Sequence, residues 1–417
     1  MVDVTSGRNG AKMTRIVRAG LIAEREGPVM IEEVRVDPPG PGEVRVAIRA
    51  TGLCHSDLTA SRDAPIFPVV LGHEEAGVVD EVGMGVEGLA PGTSVVISFR
   101  VPCGRCLNCL RGREPWCEHP RGTAEPRVHR LRDGAPVVPF LRVGSFCPYV
   151  VVPATGAIPI DPVLSFEHAA LLGCGIATGV GAALFDAKVE PGMDVAVFGL
   201  GGVGLNVVQG AALALAREVI AVDLLPEKLE PARSLSATRT LQGDADTVER
   251  VLKLTGGRGV DVSFEVMGHP EVMAQALGML APGGTLMVLG AASREALLSF
   301  APRRFMSRQQ TIRGDSLGAC RPPEHYPLFA RWALDGRLQV APLISRTLHS
   351  LEEVNDAFAA LRGQTTHTRR VPAFRYTRAL AAISAASCEG EATSTARSGA
   401  KGTGLSSSLI KAAFAAT

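Results

Sequence analysis

The chain has 417 residues, more than one ordinary domain holds and about right for two or three. Its 43 Lys and Arg against 42 Asp and Glu leave a formal net charge of +1, so no global field draws it to nucleic acid or an acidic membrane. Apolar residues at 46% give material for a large core, and aromatics at 5% argue against a stacking platform for single-stranded nucleic acid.

Residues 1–12 are polar and carry no apolar signal core, so they read as a flexible extension of a soluble, cytoplasmic protein. From 13 to 175 the pattern is mostly β. Val29–Val36, Glu43–Ala50, Val69–Leu71, Ala76–Val82 and Ser94–Ser98 are separated by Gly/Pro turns such as Pro38-Pro39-Gly40, and 143–160 adds further strand. From 176 to 320 apolar strands alternate with helices. The units are Asp194–Phe198 with Gly202–Ala216, Val219–Val222 with Glu227–Leu235, and Val260–Glu265 with Pro270–Leu280, followed by Thr285–Leu289. That alternation predicts a parallel sheet covered on both faces. Residues 321–376 turn helical (Tyr326–Leu334, Leu351–Leu361) around one strand, Leu343–Leu348. Residues 377–417 are dominated by Ala, Ser, Gly and Thr and read as a low-complexity extension with a short helix at Leu409–Ala416.

Two uncharged runs, His168–Phe185 and Val195–Ala216, approach the length of a bilayer span. Both are broken by glycines, and both read as buried core rather than membrane segments.

Four of the nine cysteines crowd into 15 residues as Cys103-x2-Cys106-x2-Cys109-x7-Cys117, with Gly104 and Gly112 to turn the loop. Thiolates so spaced converge on one ion, and zinc in a closed four-thiolate site is the natural occupant. An iron–sulfur cluster competes, but its usual run has a three-residue fourth gap followed by Pro. Disulfides are disfavoured by the close spacing and the missing export signal.

Gly199-Leu200-Gly201-Gly202-Val203-Gly204 follows an apolar strand and opens an uncharged helix, and Asp223 lies 19 residues beyond Gly204 at the end of the next strand. This is the dinucleotide-binding arrangement. The first glycine makes the turn, the second admits the pyrophosphate and the third packs helix on strand. A carboxylate at Asp223 accepts from both ribose hydroxyls of NAD and repels a 2′-phosphate, so NAD is expected over NADP. Lys228 is within reach of the same ribose.

Cys54, His73 and Cys174 complete the set: Cys54-His55-Ser56-Asp57 follows a strand, Gly72-His73-Glu74 ends another, and Cys174 sits where the alternating region begins. Two thiolates and an imidazole with an open fourth position are a known catalytic zinc set.

With these motifs in this order, the chain resembles the zinc-dependent medium-chain dehydrogenase/reductases, specifically the alcohol dehydrogenases, from about Arg15 to Leu361. The resemblance implies an α/β protein: a Rossmann doubly wound parallel sheet joined to a mostly-β GroES-like catalytic domain with a zinc lobe at 100–118. The late segment, 321–376, would rejoin the catalytic domain. It further implies that Cys54, His73 and Cys174 hold a catalytic zinc and the four-cysteine lobe a structural one. Glu74 would stand behind the catalytic metal, Asp57 orient His73, and Ser56 take the alcohol proton. His55 would face the pyrophosphate and Phe99 line the substrate pocket. Expected partners are a small alcohol or aldehyde and a second copy or more of the chain, as homodimer or homotetramer.

The chain departs from its relatives in three places. Thr59 stands where some relatives end the proton relay in His. Ala64-Pro65-Ile66 replaces the acidic residues usual in the branch that oxidises formaldehyde as a thiol adduct. Gln364–Val371 replaces the expected closing strand, with Arg369 or Arg370 left to contact the cofactor. The segment between Cys117 and Phe146 resembles the branch with deeper pockets, so a primary or aromatic alcohol is the expected substrate. A thiol-dependent formaldehyde oxidiser is the alternative. A non-catalytic cofactor-binding protein is disfavoured by the intact open metal site.

Overall fold

The computed structural model describes the backbone of residues 13–363 and 371–375 and the side chains of 13–361. The expected extensions at 1–12 and 377–417, and Arg369, lie outside the described residues.

The first part of the chain contributes β1 (Arg15–Ile22), β2 (Met30–Val36), β3 (Glu43–Gly52), β4 (Val69–Val70), β5 (Glu75–Val82), β6 (Ser94–Ile97), β7 (Val128–Arg130), β8 (Val138–Pro139), β9 (Tyr149–Pro153) and β10 (Ala157–Pro159). The alternating region contributes β11 (Asp194–Phe198), β12 (Glu218–Asp223), β13 (Arg239–Gln242), β14 (Val260–Glu265), β15 (Leu280–Val288) and β16 (Thr311–Gly314). Two late strands, β17 (Ile344–Leu348) and β18 (Val371–Arg375), close the fold.

Two sheets make the β domain. One runs β7-β2-β1-β4-β8; the other runs β10-β6-β5-β3-β18-β17, with β9 also on β3. β3 organises the second sheet. It pairs along its length with β5, and it shares its other edge between β9 at 43–47 and β18 at 50–52. Val34, Val44, Val46, Ile48, Val95 and Phe146, all buried, fill the core that these sheets share. Arg45 is buried in β3 at 1% exposure and is neutralised by Asp80 at 2.7 Å and Glu81 at 2.8 Å, the pairing that a buried charge requires.

The third sheet is entirely parallel, in the order β13-β12-β11-β14-β15-β16, with the strand order switching between β11 and β14. That is the doubly wound dinucleotide fold, whose ligands sit at the carboxyl ends of the strands beside the switch point. β11 is buried throughout, as its continuous apolar run requires. A single apolar cluster spans the two domains. It joins Ala50, Ala76 and Val96 of the β sheet to Leu172, Ile176 and Val180, then to Val195 and Val207 of the parallel domain.

The structure adds β1, β13, β16 and the helix Thr247–Leu254 to the elements legible in the sequence. β13 and β16 are the edges of their sheet and largely exposed, so they carry little apolar periodicity. The closing strand is a correction. It is not replaced by 364–371 but begins at Val371, inserted between β3 and β17. Both uncharged runs are core: Val195–Ala216 forms β11, the glycine loop and a helix, while His168–Phe185 falls in two helices bent by 55°. Among the described residues no single helix is long and apolar enough to cross a membrane.

The late helix Pro322–Leu334 clamps the bend. Tyr326, fully buried, donates its hydroxyl to the Gly173 carbonyl at 2.9 Å. Tyr326→Phe leaves that carbonyl without this donor and is expected to lower stability by about 1–3 kcal/mol. Chemical denaturation of the metal-loaded protein checks this; an unchanged midpoint would contradict it.

Candidate active site

Asp57 is wholly buried and ties two segments together. Its Oδ2 accepts the Cys54 amide at 3.0 Å, and its Oδ1 accepts the Gly72 amide at 2.8 Å and meets His73 Nδ1 at 3.1 Å. The first contact is half of a helix cap: Cys54 precedes the helix His55–Asp63 with extended backbone, and its Sγ accepts from the Ser56 amide. The third fixes a tautomer. A proton on Nδ1 donates to Asp57 and leaves Nε2 with a lone pair for a metal.

Cys174 arrives from the other side of the cleft. It sits at the 55° bend, between the turn Leu171–Gly173 and the helix Gly175–Gly181. That helix packs on Gly202–Leu213 so closely that a Cβ on Gly179 would lie 2.4 Å from the Val203 carbonyl oxygen. The helix that carries Cys174 is thereby held against the helix that opens the dinucleotide loop.

The ligand atoms of Cys54, His73, Glu74 and Cys174 all lie within 4.8 Å of one another. The hydrogen bond to Cys174, with His73 beside it, holds the Cys54 thiol well below its usual range despite burial. The same hydrogen bond and burial push Cys174 well up. Burial opposes a proton on His73, but the Asp57 carboxylate outweighs it and raises the imidazole. Burial first, and then the Cys54 charge, push Glu74 well up. Glu74 Oε2 is buried without a hydrogen-bond partner. Two soft thiolates, an imidazole with a free nitrogen and a spare carboxylate fit a zinc ion with one exchangeable position.

Cys103, Cys106, Cys109 and Cys117 form the second set, again with every ligand atom within 4.8 Å. Cys103 and Cys106 Sγ lie 3.9 and 3.5 Å from Cys109 Sγ. Tetrahedral thiolates on one zinc stand about 3.8 Å apart, so the spacing suits a single ion rather than a cluster. Amides of Arg105 and Cys106 point at Cys103 Sγ and bring its thiol down to about 6, against burial. The lobe is tied to the parallel domain by Arg100 on Ser316 Oγ at 2.9 Å and to the start of the late helix Pro322–Leu334 by Arg321 on Glu114 at 3.3 Å.

At the parallel sheet, Gly199 takes φ +91°, and Gly202–Leu213 begins at the loop, its N-terminus facing the space above β11. A Cβ on Gly204 would lie 1.8 Å from the Gly199 carbonyl oxygen, so only glycine lets helix and strand close there. Gly201 caps the helix, and Gly202, Val203 and Gly204 form its first turn. Asp223 ends β12. It accepts from the Leu200 and Leu225 amides at 2.8 and 3.1 Å, and Lys228 Nζ lies 3.3 Å away. An apolar pocket lined by Phe198, Leu224, Met267 and Val272 adjoins that carboxylate.

Ser56 is exposed and His55 half-buried, both in the first turn of the helix that Cys54 caps. Phe99 stands edge-on to His73 at 5.6 Å. Three further residues belong to the site and escaped sequence reasoning. Phe140 faces His73 from another side, also edge-on, at 5.4 Å. Glu75 is fully buried at the start of β5, where burial pushes its carboxyl up to about 8. Tyr326 holds the Gly173 carbonyl. The adjoining Glu-Glu pair was visible in the sequence, but strand alternation does not announce that both carboxylates are buried. Phe140 lies in a loop, where no periodicity marks it.

Asp57→Asn keeps the shape but loses the charge that fixes the His73 tautomer. A loss of about 10- to 100-fold in metal affinity at this site is expected. Chelator competition measures it; unchanged affinity would remove Asp57 from the role.

Comparison with known proteins agrees with this geometry. Residues 40–162 match the model of the alcohol dehydrogenase GroES-like domain, and 202–335 that of the zinc-binding dehydrogenases. An S-(hydroxymethyl)glutathione dehydrogenase of Synechocystis is 38% identical over 353 residues, 82% of this chain and 95% of the relative. An alcohol dehydrogenase zinc-binding domain protein from Burkholderia ambifaria superposes with TM-score 0.82 at 33% identity, covering 88% of this chain and 100% of its own. Benzyl alcohol dehydrogenase from Acinetobacter calcoaceticus superposes with TM-score 0.80 at 27% identity, covering 87% and 100%. The chain belongs to the zinc-dependent alcohol dehydrogenases of the medium-chain dehydrogenase/reductase family, oxidoreductases that use a nicotinamide cofactor.

Proposed function

We propose that the protein interconverts a primary aromatic alcohol and its aldehyde with NAD. The observation that carries this is the pair of rings, Phe99 and Phe140, standing edge-on to His73 beside the open donor set. Aromatic walls at that point favour an aromatic substituent on the reacting carbon.

Cys54, His73 and Cys174 would hold the catalytic zinc, which supplies Lewis acidity at the substrate oxygen. Asp57 keeps His73 in the ligating tautomer. Glu74, whose Oε2 is buried without a hydrogen-bond partner, would stand behind the metal. Ser56, exposed at the helix start, takes the alcohol proton and passes it toward the cofactor ribose. His55 faces the pyrophosphate, which the amides at the start of Gly202–Leu213 receive. Asp223 takes the adenosine ribose, with Lys228 beside it.

The cytoplasmic location belongs to the same reading, supported by eight described cysteines of which none is in a disulfide. Assembly as homodimer or homotetramer is supported by the open outer edge of β16. Leu297, Phe300 and Met306 are exposed on the segment that leads into it.

A second reading, oxidation of an S-hydroxymethyl thiol, is favoured by the Synechocystis relative and disfavoured by Ala64-Pro65-Ile66. Absorbance at 340 nm with NAD and a panel of alcohols separates them. Turnover of benzyl-type alcohols without added thiol supports the first reading; turnover only with a low-molecular-weight thiol replaces it with the second.

Ser56→Ala is expected to lower kcat by about 10²- to 10⁴-fold with two zinc ions per chain retained. Unchanged turnover would exclude Ser56, and a single zinc in the parent protein would exclude one of the two sites. The ratio of kcat/KM for NAD to that for NADP is expected to exceed about tenfold, because the Asp223 carboxylate repels a 2′-phosphate. A preference for NADP would overturn that assignment.

A further inference from the structure

The chain crosses between its two domains twice, and the two crossings meet. The first leaves Cys174 through the helix Gly175–Gly181, which ends in a π turn, Ala182–Asp186, with the Ala187 amide on the Ala182 carbonyl at 2.8 Å. The second runs from the end of β16 at Gly314 to Arg321, where the late helix begins. A Cβ on Gly181 would lie 2.7 Å from the Gly318 carbonyl oxygen, and the Cys320 thiol donates to the Ala177 carbonyl at 3.3 Å. Leu317, Gly318 and Ala319 hold left-handed backbone in succession, at φ 58°, 63° and 48°. L-residues adopt such a run only where the surroundings impose it.

Asp315 is one restraint on that turn, since its Oδ1 accepts the Gly318 amide at 3.1 Å. Its Oδ2 is buried and receives no N–H or O–H donor. Against it stands Asp186, 5% exposed, and the two carboxyl groups hydrogen-bond to one another. Ionised carboxylates are acceptors only, so that bond requires a proton on one of the two. The other charged groups around the pair leave this requirement in place. Arg313 of β16 pairs with Asp186. Arg100, on the side of the cysteine lobe, acts on Asp315 through its charge, while its N–H groups donate to the Pro115 carbonyl and Ser316 Oγ, each at 2.9 Å. Cys320 faces Asp315 as a thiol, which burial and the Asp315 charge push well up. Beyond them stand Glu114, paired with Arg321, and His325, stacked on Phe185 at 3.8 Å with Glu324 beside it. Burial first, and then the bond to Asp186, push the Asp315 carboxyl up to about 7.

We propose that Asp186 and Asp315 share one proton and so clasp the two crossings, and that losing it loosens the grip on the nicotinamide cofactor. The link to the cofactor is positional. The helix Gly175–Gly181, which leads to Asp186, packs on the helix that opens the dinucleotide loop. Asp315 stands one residue past the carboxyl end of β16, the side of a parallel sheet where ligands sit. With the proton gone, two like charges face each other away from water and drive the crossings apart. The inference needs the nicotinamide cofactor of the family and no particular alcohol.

The test uses the zinc-loaded full chain with Asp315→Asn and Asp186→Asn. A carboxamide at position 315 can accept the Gly318 amide and donate to Asp186, so the first variant keeps the clasp at every pH. In the wild type the proton stays until about pH 7. An unfolded aspartate releases it at about pH 4. The folded protein therefore binds more protons between these values, and its stability is lost as pH rises through them. The melting temperature of Asp315→Asn minus that of the wild type is expected to grow by about 2 °C or more from pH 5 to pH 8. Over the same range the Kd for NADH of the wild type, relative to that of Asp315→Asn, is expected to rise about fivefold or more in a fluorescence titration. Asp186→Asn removes the second charge and supplies a donor in place of the shared proton. It is expected to differ from the wild type in the same direction, and it decides the matter if the first variant does not fold. Differences that stay constant with pH would show that no proton is shared and overturn the proposal. A melting difference that grows while the Kd ratio stays fixed would confine the pair to the fold and overturn it as well.

Discussion

One buried carboxylate sets the geometry on which the rest depends. Asp57 accepts the Cys54 amide, the Gly72 amide and the His73 ring proton, so a single side chain positions one ligand through its backbone and orients another through its ring. Burying an anion is unfavourable unless its acceptor sites are filled, and here three donors fill them. The helix His55–Asp63 and the turn at Gly72 are therefore locked together before any metal arrives. A donor set assembled in advance is what gives an open metal site its affinity and leaves one coordination position for chemistry.

The second requirement is that the donor set meet the cofactor. Cys174 comes from the chain crossing into the parallel domain, and the bend at this residue turns the helix Gly175–Gly181 onto Gly202–Leu213. Gly179 removes the side chain that would hold these helices apart. The packing that builds the interdomain core thus carries a metal ligand to the side of the dinucleotide loop. The late segment reinforces the same point, since Tyr326 grips the carbonyl preceding Cys174 and β18 pairs with β3 at 50–52, which ends two residues before Cys54.

How much of this could be read from residues alone follows the range of the interaction. The glycine loop and the cysteine lobe are local, their members lying within a few residues of one another, so spacing by itself announced them. Cys54, His73 and Cys174 are far apart in sequence, and spacing alone does not join them; their chemistry as a zinc set and the resemblance to a family did, and the structure brings their ligand atoms within 4.8 Å. Phe140 and Tyr326 were illegible for a physical reason. Their roles arise from loop conformation and from contacts between distant segments, which leave no period in the sequence. The exposed edge strands β13 and β16 failed for the opposite reason: with one side open and little apolar surface, they resemble loops.

The measurement that bears most directly on the account is anomalous diffraction at the zinc edge from crystals of the purified protein. The account predicts a peak in contact with Cys54 Sγ, His73 Nε2 and Cys174 Sγ together, with Asp57 still on His73 Nδ1. A zinc held by fewer than all three, or no peak at that point in a zinc-loaded and active protein, would contradict it.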